Sequence, residues 1–121
     1  MIHYQAVMRE NRTYLACLPD GALLESEREA LELIEGCIEH HTDRVMVFAA
    51  NLPKEFYDLK TGVAGGILQK FAQYRVRIAA ILTAELVGNG RFSEMVLEAN
   101  RGSHFRVFYE REKAEVWLLG N

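Results

Sequence analysis

Two cysteines, two prolines and one tryptophan are all of those types that 121 residues hold. Each scarcity excludes something. Two thiols without a Cys-x-x-Cys spacing leave no disulfide framework and no cysteine-rich metal site; Cys17 and Cys37 fall on apolar faces of a predicted strand and helix and read as buried, reduced thiols. No apolar run approaches the roughly 18 residues that cross a bilayer, and residues 1–5 lack the basic-then-apolar pattern of a secretion signal, so a cytoplasmic protein without a membrane partner is expected. No basic stripe with interleaved aromatics appears, which argues against nucleic acid. The catalytic signatures are missing too: no G-x-S-x-G elbow, no H-E-x-x-H, no P-loop, no Cys–His–Asp set. No catalytic residue, metal or cofactor is therefore assigned. His40 and His41 are adjacent, and neighbours on a helix point about 100° apart, a poor start for sharing one ion.

What is present is ordinary for a globular chain: 50% apolar and 26% charged residues in 13.8 kDa, enough for a single domain over residues 1–121. Charge is uneven. Between residues 19 and 43 eight carboxylates face Arg28 alone, while the rest of the chain is mildly basic. A solvated acidic helix face explains this, and a docking surface for a basic partner or a second subunit is the sharper reading.

Hydrophobic periodicity gives the elements. Residues 2–8 and 13–18 read as a hairpin across the polar 9–12 turn. Ser26 with Glu29 is a capping box that opens a helix with Ala30, Leu31, Ile34, Cys37 and Ile38 inward. Residues 44–51 and 75–82 are near-continuous apolar runs, the pattern of strands covered on both faces. Residues 83–91 form a loop, tightest at Gly88-Asn89-Gly90. A helix capped by Ser93 follows, with Phe92, Met95, Val96 and Ala99 inside. Residues 105–109 make the last strand, and 112–119 a short final helix that Trp117 packs down. The order is ββαβαβαβα: an α/β domain with about four helices and a mostly parallel sheet edged by an antiparallel hairpin.

The stretch 56–71, F-Y-D-L-K-T-G-V-A-G-G-I-L-Q-K-F, links the two apolar strands. Gly62, Gly65 and Gly66 stand at three-and-four spacing, and each costs a helix about 1 kcal/mol against alanine. Either helix and sheet approach closely there, or the glycines leave a groove for a ligand or partner. Thr61 in the first turn, with Lys60 and Lys54 nearby, suits an anion, whether a ligand's phosphate or one carried by Thr61 itself. If residues 54–59 are helical too, Thr61 lies mid-helix and those amides are used. The candidate binding residues are Asp58, Lys60, Thr61, Gly62 and Gly65.

The element order and the D-x-x-T-G-V-A sequence of Asp58 to Ala64 resemble the STAS domain of bacterial anti-sigma-factor antagonists and sulfate-transporter tails. That family carries D-S-S-G-L, with its second serine phosphorylated by a partner kinase; Asp58, Thr61, Gly62 and Val63 match in type, with one extra residue between acid and hydroxyl. The run from 56 to 77, with E-x-N-R-G at 98–102, resembles a family of short bacterial proteins of unassigned function. These likenesses imply a STAS-like, non-enzymatic regulatory module, homodimeric or bound to a protein partner, with phosphorylation or an anion at Thr61. The alternative is a binder of, or enzyme for, a nucleotide or phosphorylated metabolite. Its pocket would lie at the C-terminal ends of the parallel strands, with Asp58, Lys60, Thr61, Arg91 and His104 around it.

Overall fold

In the computed structural model, which describes residues 1–120, the apolar runs become the inner strands of one five-stranded sheet. β1 (Tyr4–Arg9) and β2 (Arg12–Cys17) form the antiparallel hairpin, and β3 (Arg44–Phe48), β4 (Arg77–Ile81) and β5 (Phe105–Phe108) continue in parallel. The spatial order β1-β2-β3-β4-β5 is also the chain order. Crossovers that keep one hand while stepping in one direction must leave their helices on one face. They do. α1 (Glu27–Glu39), α2 (Val63–Gln73) and α4 (Arg91–Ala99) cover the side lined by Leu15, Val45, Val47, Ile78, Ala80 and Val107. α5 (Arg111–Leu119) alone covers the other side, over Tyr14, Ala16, Met46 and Ala79. The order ββαβαβαβα holds, with α3 (Ala84–Val87) as an added short turn inside the stretch expected to be loop; Thr83 accepts from the Leu86 amide to start it.

Several local expectations shift. The inward stripe of α1 is rotated: Leu33 and Gly36 are buried, Leu31 is half-buried, and Ile38 is 67% exposed. The cause sits on β1, because a Cβ at Gly36 would meet the Tyr4 ring at 2.6 Å, so the helix lies against that tyrosine through its glycine. Ser26 caps α1 by accepting from Arg28 N, and its hydroxyl donates to Glu29 Oε1 at 2.6 Å, so the box closes through side chains. Ser93 is no cap. α4 begins two residues earlier, with Gly90 at the cap position and no side-chain bond there.

Arg12, Arg44, Arg77 and Arg106, one from each of β2 to β5, gather under the last turn of α5. A helix ends with carbonyls that lack intrahelical partners; Arg12, Arg44 and Arg77 donate to carbonyls there, while Arg106 donates to Gly102 O. Arg12 bonds to Leu119 O. Arg44 bonds to Leu118 O and, at 2.7 Å, to Gly120 O. Arg77 bonds to Trp117 O at 3.2 Å. Arg77 and Arg106 flank the Trp117 ring at 5.0 and 5.2 Å, so the tryptophan does hold the final helix down. Desolvation, then repulsion from Arg44, lowers the pKa of Arg77 from its ordinary value.

Candidate functional site

After β3 the chain does not enter a helix at once. It runs along the C-terminal rim of the sheet as three 3-10 turns, Ala49–Asn51, Lys54–Tyr57 and Leu59–Thr61. Asn51 anchors the first by accepting from Phe48 N at 2.7 Å and donating to Leu18 O at 3.0 Å, which ties the ends of β2 and β3 together. Asp58 caps the third, its Oδ1 accepting from Lys60 N at 3.1 Å. Gly62 then takes φ +77°, a left-handed conformation that suits glycine, and α2 starts at Val63. The left-handed turn at Gly62 decides the question left open by the sequence: Thr61 precedes the helix.

The Thr61 hydroxyl donates between the carbonyls of Glu55 and Asp58 (2.7 and 2.8 Å) and accepts from Val63 N at 3.2 Å. Thr61 therefore splices the last 3-10 turn to the start of α2, while the residue itself stays exposed. Close approach of helix to sheet is not the reason for the neighbouring glycines. A Cβ at Gly65 would meet nothing within 4 Å, and one at Gly66 would touch only Glu27 of α1, at 3.5 Å or more. Ala64, Ile67 and Phe71 make the buried face instead.

A cavity of about 550 Å³ opens beside this segment, between residues 57–60 and residues 86–92. The size lies within the range of small-molecule sites. Two of the predicted residues, Asp58 and Lys60, line it; Thr61, Gly62 and Gly65 lie outside its wall. Arg91 does line it. His104 does not: it precedes β5, at the N-terminal end of the parallel strands and so at the opposite rim. The wall adds two features that the predicted set lacked, the Gly88-Asn89-Gly90 turn and the Tyr57 ring. The sequence signalled the turn through its glycines, but nothing local tied it to Asp58. Because the strand order never reverses, there is no switch-point crevice of the doubly wound kind; the cavity is made by the loops after β3 and β4.

Electrostatics favour a negative guest. Lys60 and Arg91 make no side-chain hydrogen bond or ion pair among the described residues. Asp58 is the one carboxylate in the wall, with Oδ1 already accepting from the Lys60 amide. α4 points its N-terminus, uncapped by any side chain, toward the same space through Gly90 and Arg91. Leu59 and Leu86, both about a third exposed (36% and 39%), supply apolar wall from the two sides. Tyr57 packs edge-on against Phe92 at 5.1 Å. Its hydroxyl is buried without a hydrogen-bond partner among the described residues, and burial raises its pKa above the ordinary phenol value. Such a group costs on the order of 1–3 kcal/mol.

Burial pushes both thiols up to about 12, helped at Cys17 by the nearby Cys37 and at Cys37 by Asp43, so at neutral pH they are protonated and unreactive. His40 packs edge-on against Tyr4 at 6.1 Å. Among the described residues no three His, Cys, Asp or Glu side chains are placed to hold a metal ion, and no helix is long and apolar enough to cross a membrane.

The chain belongs to a family described as a domain of unknown function (DUF4180), whose model matches residues 9–118. No curated protein and no solved structure matches it.

Proposed function

We propose that this domain is a binding module whose C-terminal rim takes a small anionic molecule, a nucleotide or phosphorylated metabolite, in the cavity between residues 57–60 and 86–92. The observation that carries the reading is the pairing of two cations, Lys60 and Arg91, across a 550 Å³ space beside a buried tyrosine hydroxyl, all three without partners among the described residues. The anion sits toward Arg91 and the uncapped start of α4, and Leu59 and Leu86 take the apolar part. A thermal-shift and calorimetry panel of nucleotides and phosphorylated metabolites tests this. At least one member should raise the melting temperature, and Lys60→Gln and Arg91→Gln should each weaken it tenfold or more without moving the unliganded melting point. Tyr57→Phe should raise unliganded stability by about 1 kcal/mol, since it deletes a buried hydroxyl that lacks a partner. No shift from any member of the panel removes the reading.

A second reading is favoured by the exposure of Thr61 directly ahead of α2. In it the domain is a STAS-like regulatory protein of the bacterial cytoplasm, homodimeric or partner-bound, switched by phosphorylation of Thr61. A phosphate there would forfeit the hydroxyl's donation to Glu55 O and Asp58 O, which the ester oxygen has no hydrogen to make, and gain the field of the helix start. Thr61→Glu should then change partner capture or the dimer fraction in light scattering while circular dichroism stays native. Unchanged association in a folded variant would refute it.

A further inference from the structure

On the face of the sheet covered by α5, a second cavity of about 260 Å³ lies among β1, the ends of β2 and β3, and the first residue of α5. It shares no residue with the rim cavity. Ala16, Leu18, Pro19 and Phe48 give it an apolar wall, and Gln5, Asn51 and Arg111 give it polar groups.

Those three groups have donors to spare. Asn51 is only 3% exposed, and its side-chain nitrogen carries two hydrogens, of which Leu18 O takes one. The second has no protein acceptor among the described residues. Arg111 stacks 5.4 Å from the Phe48 ring and reaches the Tyr14 hydroxyl at 3.5 Å, with no ion pair among the described residues. Glu115, one turn along the helix, is engaged elsewhere, accepting from Tyr14 at 2.5 Å and facing Arg9 at 3.6 Å, and Glu110 pairs with Lys113 at 3.4 Å. Gln5 makes no side-chain hydrogen bond among the described residues.

We propose that this cavity binds a small carboxylate with a compact apolar body. One cation suits a monoanion better than a phosphate dianion. A planar guanidinium held against an aromatic ring presents a fork that fits two carboxylate oxygens. The buried Asn51 amide and Gln5 supply further donors, and Phe48, Leu18 and Pro19 receive the body. The volume lies below the usual drug-sized range, which favours a small guest.

Benzoate is the probe, with benzamide as its neutral isostere, and NMR side-chain amide signals of Asn51 and Gln5 are the readout on the full chain. Benzoate should shift both signals saturably. Benzamide and the Arg111→Gln variant should each weaken binding tenfold or more, and Arg111→Lys, which keeps charge but loses the fork, by a few-fold. Absence of a saturable shift at Asn51 overturns the proposal. So does equal affinity for benzoate and benzamide, or for the wild type and both variants. None of these results depends on the rim cavity, whose panel is read through Lys60 and Arg91.

Discussion

At the N-terminal ends of the strands Arg44 and Arg77 are bonded to the carbonyls of Trp117, Leu118 and Gly120, whereas at the C-terminal ends Lys60 and Arg91 bond to nothing among the described residues. The two rims use the same kind of side chain for opposite ends. At the first rim each cation donates to carbonyls at the end of α5, and so acts in folding. At the second, the cations face a cavity, where the proposed anion would meet them. A cation's role is read from its partners, not from its type.

Breaking the first rim should have the larger effect. Arg44→Ala strips donors from two carbonyls at the end of α5, and hydrogen bonds from charged groups contribute about 1.5–3 kcal/mol. With the Arg44 side chain 23% exposed, a loss of about 2–3 kcal/mol is expected in urea unfolding at unchanged m-value. A loss below about 0.5 kcal/mol would mean that the grip on α5 is not what holds it, and the contrast between rims would collapse.

Smaller effects of opposite sign should separate two glycines at the second rim. Gly62→Ala forces an L side chain to φ +77° and should cost about 1–2 kcal/mol. Gly65 lies within α2 with open space where a Cβ would go, so Gly65→Ala should stabilise by about 0.5–1 kcal/mol. If both variants lose stability alike, the helix start is not where Gly62 places it.

The inner strands were legible because burial on both faces leaves an apolar run in the chain itself, as at Val45 to Phe48 and Ile78 to Ile81. The focal segment was half legible. Asp58 and Lys60 line the cavity, while Thr61, predicted as a ligand contact, spends its hydroxyl on Glu55, Asp58 and Val63. Ser93 misled because a serine early in a helix resembles a cap, and only backbone geometry puts the start at Arg91. Ile38 misled because helical periodicity gives a stripe without fixing its rotation, which Gly36 against Tyr4 decides.

By itself, the order of residues determined the main strands and helices, their succession and the parallel core, since each follows from spacing between near neighbours along the chain. Tertiary structure alone decided which charges are spent and which are open. Arg44 and Gly120 stand 76 positions apart, and no local pattern announces that they meet. Hydrogen bonds and ion pairs act over a few ångströms, so the pairing of distant residues exists only once strand register and helix placement have brought them within reach.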